Sequence, residues 1–218
     1  MGSRALSREA LLESMRGRIG DKVLQAMAVV PREIFVPEEI RSRAYDDTPL
    51  PIGQGQTISA PHMVAIMCDI LDLQKGMNVL EVGGGSGYHA AIMAEIVGAD
   101  GHVYSVERVP ELVGRARENL RLAGVSNVTV VEGDGSAGLP EHAPYDRISV
   151  AATAPAVPEP LKDQLKAGGK LVIPVGSGYQ ELLLVTRNNG FVVEEKMGVV
   201  FVPLIGEHGF KRARNDRT

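Results

Sequence analysis

Short apolar runs alternate with helical patterns from about Lys75 onward, and this alternation constrains the fold more than any other feature of the chain. Such an alternation is typical of a parallel sheet covered on both faces by helices. The last three runs follow one another through short turns, so we expect part of the sheet to be antiparallel. The predicted strands are NVLEV (78–82), HVYSVE (102–107), NVTVVEGD (127–134), YDRISVAA (145–152), KLVIPVG (170–176), ELLLVTR (181–187) and FVVEEKMGVVFVPL (191–204). Helices are predicted in HAAIMAEIV, ELVGRARENLRLAG and PEPLKDQLKAGG.

The first 76 residues have a different texture, with helical patterns separated by prolines. SREALLESMRGRI places Ser7 at an N-cap position, KVLQAMAVV ends before Pro31, and APHMVAIMCDILDL tolerates Pro61 in its first turn. The proline-punctuated stretch between the second and third helices should wrap the surface. We therefore expect an N-terminal helical and loop segment, residues 1–76, and an α/β domain, residues 77–218, in one compact unit.

Composition excludes several classes of protein. The net charge of -4 argues against a dedicated nucleic-acid binder, and we interpret the basic run Lys211, Arg212, Arg214 and Arg217 as a solvated tail. Cys68 is the single cysteine, so neither an internal disulfide nor a cysteine zinc cluster is expected. Neither a signal peptide nor an apolar run long enough for a membrane helix is visible. A cytoplasmic protein without a membrane or nucleic-acid partner is the expectation.

A glycine-rich turn follows the first predicted strand of the sheet, in NVLEVGGGSGYHAA. Glycine allows a tight turn and a close approach of the backbone to a ligand, and the next helix begins with free N–H groups. A dinucleotide fingerprint fails at its third glycine, because counting from Gly83 or Gly85 ends on Tyr88 or Ala90. The Gly-Lys-Ser/Thr of a Walker loop is missing. An ordinary glycine-rich turn remains the simple alternative.

Acidic residues end the next two predicted strands. Glu107 follows the loop at a spacing that suits a carboxylate accepting both hydroxyls of a ribose. Asp134 and the backbone of Gly135 stand where they could hydrogen-bond an adenine edge, although an Asp-Gly turn explains them equally well. Because the carboxyl ends of parallel strands share one edge of the sheet, these features together predict an adenosine-containing ligand.

The spacing of Glu81 ahead of Gly83, Gly85 and Gly87 resembles the first motif of class I methyltransferases, which bind S-adenosylmethionine. The whole chain resembles the protein-L-isoaspartate (D-aspartate) O-methyltransferase family. The segments that carry this resemblance are VPREIFVPEEIRSRAYDDTPLPIGQGQTISAPHMVAIM, LEVGGGSGYHAA, VEGDGSAGLPEHAPYD, KLVIPVG and FVPLIG. It implies an α/β, doubly wound, Rossmann-like class I methyltransferase sandwich, with a mostly parallel sheet, rearranged last strands and an N-terminal helical segment.

The resemblance also implies an activity: methyl transfer from S-adenosylmethionine to the α-carboxylate of an L-isoaspartyl residue in a damaged protein or peptide. Whether a D-aspartyl residue is a second acceptor is left open by the sequence. The ester then collapses to a succinimide without the enzyme. An acceptor that is already ionised at pH 7 needs orientation and removal of water, not a general base or a metal ion. A monomer that acts on isoaspartyl proteins and peptides is expected.

Residue roles follow from the same resemblance together with the positions of these residues. Ser59 is the expected catalytic residue, because its hydroxyl can hold one carboxylate oxygen and leave the other free to attack. The expected cofactor-binding residues are Glu81, Gly83, Gly85, Ser86, Gly87, Tyr88, Glu107, Arg108, Gly133, Asp134, Gly135 and Thr153. The expected substrate-binding residues are Thr57, Ile58, Ser59, Ala60, His62, Val202, Pro203 and Leu204. For His62, capping or packing is the alternative, and the other four histidines are interpreted as surface or packing residues.

Four other functions compete with this interpretation. An NAD-dependent oxidoreductase conflicts with Tyr88 at the third glycine position. A nucleic-acid methyltransferase would need a basic face and a base-flipping pocket, and AATAPAVPEP stands where its Asn/Asp-Pro-Pro-aromatic motif would be. A non-enzymatic binding module conflicts with the intact TISAPH segment. A relative that methylates a different carboxylate in one specific partner is the alternative that the sequence excludes least well.

Overall fold

The computed structural model describes residues 7–211, and its N-terminal part is made of helices and one small hairpin. In chain order these elements are α1 (Arg8–Met15), α2 (Asp21–Val29), two 3₁₀ helices (Arg32–Phe35 and Glu38–Arg43), β1 (Leu50–Gly53), β2 (Gln56–Ile58) and α3 (Pro61–Leu71). Ser7 caps α1 through a hydrogen bond from the backbone N–H of Ala10, and Pro61 is the first residue of α3. Both helix starts were predicted from the sequence.

Apart from a short C-terminal segment, the remaining described residues form a seven-stranded sheet with helices on both faces. Its elements are β3 (Asn78–Val82), α4 (Tyr88–Val97), β4 (His102–Glu107), α5 (Pro110–Leu122), β5 (Val128–Glu132), β6 (Tyr145–Val150), α6 (Glu159–Asp163), β7 (Leu165–Val175), β8 (Gln180–Arg187) and β9 (Phe191–Val199). The strand order is β5-β4-β3-β6-β7-β8-β9. Strands β3 to β7 pair in parallel, whereas β8 is antiparallel to both of its neighbours. The mostly parallel sheet with rearranged last strands is thereby confirmed.

Helix α6 is much shorter than the pattern in PEPLKDQLKAGG predicts, and β7 begins earlier than expected. The helix stops because Gln164 is drawn into the sheet region: its carbonyl accepts from the Tyr145 N–H at 2.8 Å. The Gln164 side chain also binds the carbonyl of Ala137 and the N–H of Leu139. These bonds compete with further helical turns, and residue 165 already pairs with β6.

The last predicted strand is also divided. Strand β9 ends at Val199, and the side-chain amide of Gln180 then binds both the N–H and the carbonyl of Phe201, which turns the chain away from β8. Beyond this turn, Val202 and Leu204 pair with the backbone of Thr153 instead. The segment 201–205 is therefore carried to the carboxyl end of β6.

The hydrophobic core consists of two clusters, one on each face of the sheet. The larger cluster joins apolar residues of α1, α2 and α3 to Val79 and Val103 of the sheet, so the N-terminal segment shares a core with the α/β part. The expectation that residues 30–53 merely wrap the surface is wrong, because Phe35, Leu50 and Ile52 are buried. Complete burial of a side chain such as Phe35 contributes on the order of 2–3 kcal/mol. Of the predicted basic tail, only Lys211 lies within the described residues, and it is exposed.

Candidate active site

A cavity of about 420 Å³ lies at the carboxyl ends of β3, β4 and β6. In doubly wound folds, ligands bind at this edge where the strand order reverses, here between β3 and β6. Of the residues predicted to bind the cofactor, the cavity is lined by Glu81, Gly83, Gly85, Ser86, Tyr88, Glu107, Arg108 and Gly135. Gly87, Gly133, Asp134 and Thr153 do not line it.

The glycine loop can form the floor of this cavity because its backbone adopts conformations that other residues avoid. Gly83, Gly85 and Gly87 have φ angles of 87°, 53° and 87°. Gly84 has an ordinary φ, but a Cβ at this position would collide with the hydroxyl of Ser105. Gly87 immediately precedes α4, whose first N–H groups have no partner within the helix. The N–H groups of the loop glycines are themselves bound within the protein, so the donors left for a ligand are those in the first turn of α4.

The carboxylate of Glu107 is buried and fixed at the mouth of the loop. One oxygen accepts from the N–H of Gly85 and the other from the N–H of Val109, each at 2.9 Å. A carboxylate oxygen can accept more than one hydrogen bond, so both oxygens retain capacity for ligand hydroxyls. The carboxylate predicted to bind a ribose is thus held rigidly on the cavity wall.

A row of buried polar side chains crosses the sheet beneath the loop. Ser105 and Ser149 are the register partners of Glu81 on β4 and β6, and Ser105 donates to Glu81. Among the described residues, Glu81 Oε1, Ser149 Oγ and His89 Nε2 are buried without a hydrogen-bond partner. Buried polar atoms normally have partners, so the unpartnered atoms of Glu81 and His89, which line the cavity, indicate room for a ligand or water.

Burial sets the protonation of this row. It raises the pKa of Glu81 to about 8, with a smaller upward contribution from the charge of Glu107, and the Ser105 hydroxyl opposes the shift. Burial also lowers the pKa of His89 to about 4. At neutral pH His89 is therefore uncharged, so its separation of 3.7 Å from Glu81 is not an ion pair. His89, interpreted from the sequence as a surface or packing residue, is a buried residue that also lines the cavity.

Asp134 points away from the cavity into the C-terminal segment. Its Oδ1 accepts from the backbone and hydroxyl of Ser136, and its Oδ2 accepts from the N–H of Glu207 at 2.7 Å. The Ser136 hydroxyl in turn accepts from the N–H of His208. These bonds hold the pKa of Asp134 below its usual value against the effect of partial burial. Asp134 thus fastens the chain that follows residue 204.

A second cavity, of about 760 Å³, adjoins the first. Both cavities are lined by Thr57, Ser59, Ala151 and Val202, so they meet at these four residues. Within residues 7–211 the Ser59 hydroxyl has no hydrogen-bond partner, whereas its carbonyl accepts from Arg32 at 2.8 Å. The predicted catalytic serine therefore has a free hydroxyl at the junction of two cavities.

The remaining predicted substrate-binding residues line one or both cavities. Ala60 and His62 line the second cavity, and Ile58, Pro203 and Leu204 line the first. The ring of His62 is half-exposed and its Nδ1 lies 2.9 Å from Asp47, which also accepts from the His62 N–H. Thr153 does not reach either cavity but binds the backbone of Val202 and Leu204 at 2.8 and 2.7 Å. It thereby fixes one wall of the junction.

Arg32 also lies near the site, and the sequence predicted no role for it. Its guanidinium is fully buried beside Tyr88 and bound to Ser59, yet it belongs to VPREIF, a stretch expected on the surface. A proline-flanked arginine carries no local signal of burial, because its partners lie elsewhere in the chain. Within residues 7–211, no cluster of three or more His, Cys, Asp or Glu side chains could hold a metal ion, and no helix could span a membrane.

A family model described as protein-L-isoaspartate(D-aspartate) O-methyltransferase matches residues 6–209. The chain belongs to this family. It is 65% identical over 206 residues to a protein-L-isoaspartate O-methyltransferase of Methanothrix thermoacetophila, covering 94% of this chain and 98% of the relative. It is 55% identical over 206 residues to protein-L-isoaspartate O-methyltransferase 1 of Archaeoglobus fulgidus, covering 94% and 95% of the two chains. The family prediction from the sequence is confirmed.

Solved structures agree with the fold. A protein-L-isoaspartate O-methyltransferase superposes with a TM-score of 0.87 and 35% identity, covering 93% of this chain and 67% of that one. A β-aspartate methyltransferase from Plasmodium falciparum, solved in complex with S-adenosyl-L-homocysteine, superposes with a TM-score of 0.82 and 32% identity, covering 92% and 99%. The predicted Rossmann-like methyltransferase sandwich is confirmed.

Proposed function

We propose that this chain transfers the methyl group of S-adenosylmethionine to the α-carboxylate of L-isoaspartyl residues in proteins and peptides. Membership of the family supports this proposal, and one structural observation carries it. The glycine-loop cavity and the adjoining cavity meet at Ser59, whose hydroxyl is free for a ligand. Two substrates can therefore approach each other from separate entrances.

The first cavity fits the cofactor. The positive φ angles of its glycine loop bring the backbone close to the cavity, Glu107 retains acceptor capacity for ribose hydroxyls, and Glu81 Oε1 has no hydrogen-bond partner among the described residues. We assign cofactor binding to these residues together with Ser86, Tyr88 and Gly135, which line the same cavity. When bound, S-adenosylmethionine supplies a methyl group on a positively charged sulfur. The roles predicted for Gly87, Gly133, Asp134, Thr153 and Arg108 remain predictions.

The acceptor requires placement rather than activation. A carboxylate is ionised at pH 7, so the protein need not remove a proton from it. The Ser59 hydroxyl can donate to one carboxylate oxygen and leave the other oxygen free as the nucleophile. The neighbouring Thr57 and Ala60 and the facing Val202 restrict how the acceptor lies and exclude water around it.

The substrate class is an isoaspartyl protein or peptide, and D-aspartyl residues are the second acceptor to be tested. After methylation, the nitrogen of the following residue attacks the ester carbonyl and methanol leaves, so the succinimide forms without further help from the protein. We further propose a cytoplasmic monomer that acts without nucleic-acid or membrane partners. Residues 1–76 contribute the acceptor site, and residues 77–218 contribute the cofactor site.

The direct test is transfer of tritiated methyl from S-adenosylmethionine to an isoaspartyl peptide and to its normal-aspartyl twin. We expect labelling of the isoaspartyl peptide alone, with release of volatile label as the ester collapses. A D-aspartyl version of the same peptide measures the second acceptor. Equal labelling of the aspartyl twin, or none of the isoaspartyl peptide, would contradict the proposal.

A further inference from the structure

Arg32 is completely buried, with an exposed fraction of 0%. Its guanidinium contacts three separate parts of the chain. Nε donates to the carbonyl of Ala44 at 2.7 Å and Nη2 to the carbonyl of Ser59 at 2.8 Å. The guanidinium carbon lies 4.7 Å from the centre of the Tyr88 ring, and Tyr88 is the first residue of α4. One side chain thus links the N-terminal segment, the point at Ser59 where the two cavities meet, and Tyr88 on the wall of the first cavity.

Packing alone does not explain an arginine at this position. Burial disfavours the charged form and lowers the pKa of Arg32, and Nη1 has no hydrogen-bond partner within residues 7–211. Apolar side chains of similar volume often replace buried charges without loss of stability. The particular property of arginine is a planar fork that can hold two carbonyls at a fixed separation.

The main chain at Ser59 needs the Arg32 guanidinium to hold it, because Ser59 itself belongs to neither the strand before it nor the helix after it. Ile58 is the last residue of β2 that pairs with β1. The carbonyl of Ala60 already accepts from the first turn of α3. Ser59 lies between these elements, and Arg32 binds its carbonyl.

We propose that Arg32 is a positioning residue: it fixes the main chain at Ser59 relative to Tyr88 and thereby sets the Ser59 hydroxyl against the cofactor cavity. The expected effect on kcat rests on the proposed function, whereas the restraint of the Ser59 main chain by Arg32 does not. Misplacement of a reacting group by about 1 Å can cost on the order of 100-fold in rate. Loss of the fork should therefore lower kcat more than it weakens binding of either substrate.

Arg147 provides a matched control. It is also buried, with an exposed fraction of 8%, and it donates to the carbonyls of Leu71 and Asp72 at 2.5 and 3.3 Å. These carbonyls lie at the opposite end of α3 from Ser59, and Arg147 lines neither cavity. Replacing it removes a buried guanidinium–carbonyl contact without touching the junction.

The test compares Arg32→Lys and Arg32→Gln with Arg147→Lys and Arg147→Gln in the full chain. Lysine retains charge without the fork, and glutamine avoids a buried charge, so it should fold where lysine does not. Measurements are kcat and KM on the isoaspartyl peptide, the affinity for S-adenosylhomocysteine, and amide hydrogen exchange across residues 57–63. We expect kcat to fall by about 100-fold in the Arg32 variants and by less than about threefold in the Arg147 variants.

In the Arg32 variants, affinity for S-adenosylhomocysteine should stay within about threefold of the wild type, and exchange near Ser59 should accelerate by about tenfold or more. Wild-type kcat in either folded Arg32 variant, or an equal loss in the Arg147 variants, would overturn the inference. If the wild type does not methylate the isoaspartyl peptide, the proposed function fails separately. The exchange measurement then decides alone, and unchanged exchange near Ser59 would refute the role of Arg32.

Discussion

The proposed cofactor side and the proposed acceptor side of the site are built in different ways. The cofactor side consists of turns that directly follow β3, β4 and β5, and each turn is positioned by the strand before it. The acceptor side joins the hairpin residues around Ser59 to the segment around Val202, from opposite ends of the chain. Those segments are held by side chains from elsewhere, Arg32 and Gln180, and by the backbone of Thr153.

This difference predicts which changes separate binding from transfer. The turns after β3, β4 and β5 should keep their conformation when a residue on the acceptor side is replaced, because the hydrogen bonds of these turns are made within the sheet region. The acceptor side should lose its geometry when a single contact from a residue distant in sequence is removed. Its loops are not part of a β-sheet or a helix, and such loops open at a low free-energy cost. Variants on one side should therefore leave the properties of the other side largely intact.

The largest expected effect is on the acceptor side, in Ser59→Ala. Removing a hydroxyl that positions the reacting carboxylate should lower kcat on the isoaspartyl peptide by about 100-fold, a cost comparable to loss of one oxyanion donor. Calorimetric affinity for S-adenosylhomocysteine should remain within about twofold, because the hydroxyl makes no bond to the glycine loop. An unchanged transfer rate would remove Ser59 from the mechanism, and a parallel loss of binding would mean that the two sides are not separable.

The reciprocal test is Gly84→Ala on the cofactor side. The added Cβ would meet the Ser105 hydroxyl and push the loop from its seat, so affinity for S-adenosylhomocysteine should fall by about tenfold or more. KM for the acceptor peptide, at saturating cofactor, should change much less. Gly114→Ala is the matched control, because nothing lies within 4 Å of its added Cβ in α5 and alanine favours a helix there. Full cofactor affinity in Gly84→Ala would show that the loop adapts.

The polar row on the cofactor side predicts a pH dependence of stability. Folding raises the pKa of Glu81 from 4.5 to about 8, so its contribution to the free energy of unfolding is lost as the pH rises toward 8. Folding lowers the pKa of His89 from 6.5 to about 4, so its contribution increases with pH over that interval. The two slopes oppose each other up to about pH 6.5, and above that value only the decline due to Glu81 remains.

We therefore expect the unfolding free energy of the cofactor-free protein to fall as the pH rises from about 6.5 to 8. Urea unfolding at several pH values measures this slope. The Glu81→Gln variant, which carries no titratable group, should lack it. A slope that persists in Glu81→Gln would assign the proton to another residue.

The smallest effect is expected from Asp134→Asn. This variant distinguishes a residue that fastens the C-terminal segment from one that binds the cofactor directly. Asp134 is exposed and its bonds fasten residues 207 and 208, so the amide should weaken affinity for S-adenosylhomocysteine by only about threefold. Glu207→Ala is a suitable control, because only the backbone of Glu207 binds Asp134. A loss of tenfold or more would support the direct adenine contact predicted from the sequence.

Much of the cofactor side could be predicted because its signals are local. The bounds of β3 and β4 match their apolar runs, and the glycine loop with Glu107 lies where strand ends meet. The short α6 and the division after β9 could not be predicted, since Gln164 and Gln180 act through partners that are distant in sequence. The orientation of Asp134 was hidden for the same reason.

The sequence by itself determined the family and the sheet and pointed to most of the residues that line the two cavities, because strand periodicity and motif spacing are properties of neighbouring residues. The tertiary structure alone decided that Arg32 is buried against Ser59, that Asp134 fastens the C-terminal segment, and that burial raises the pKa of Glu81. The physical reason is that burial, desolvation and the direction of a hydrogen bond depend on groups that only folding brings together.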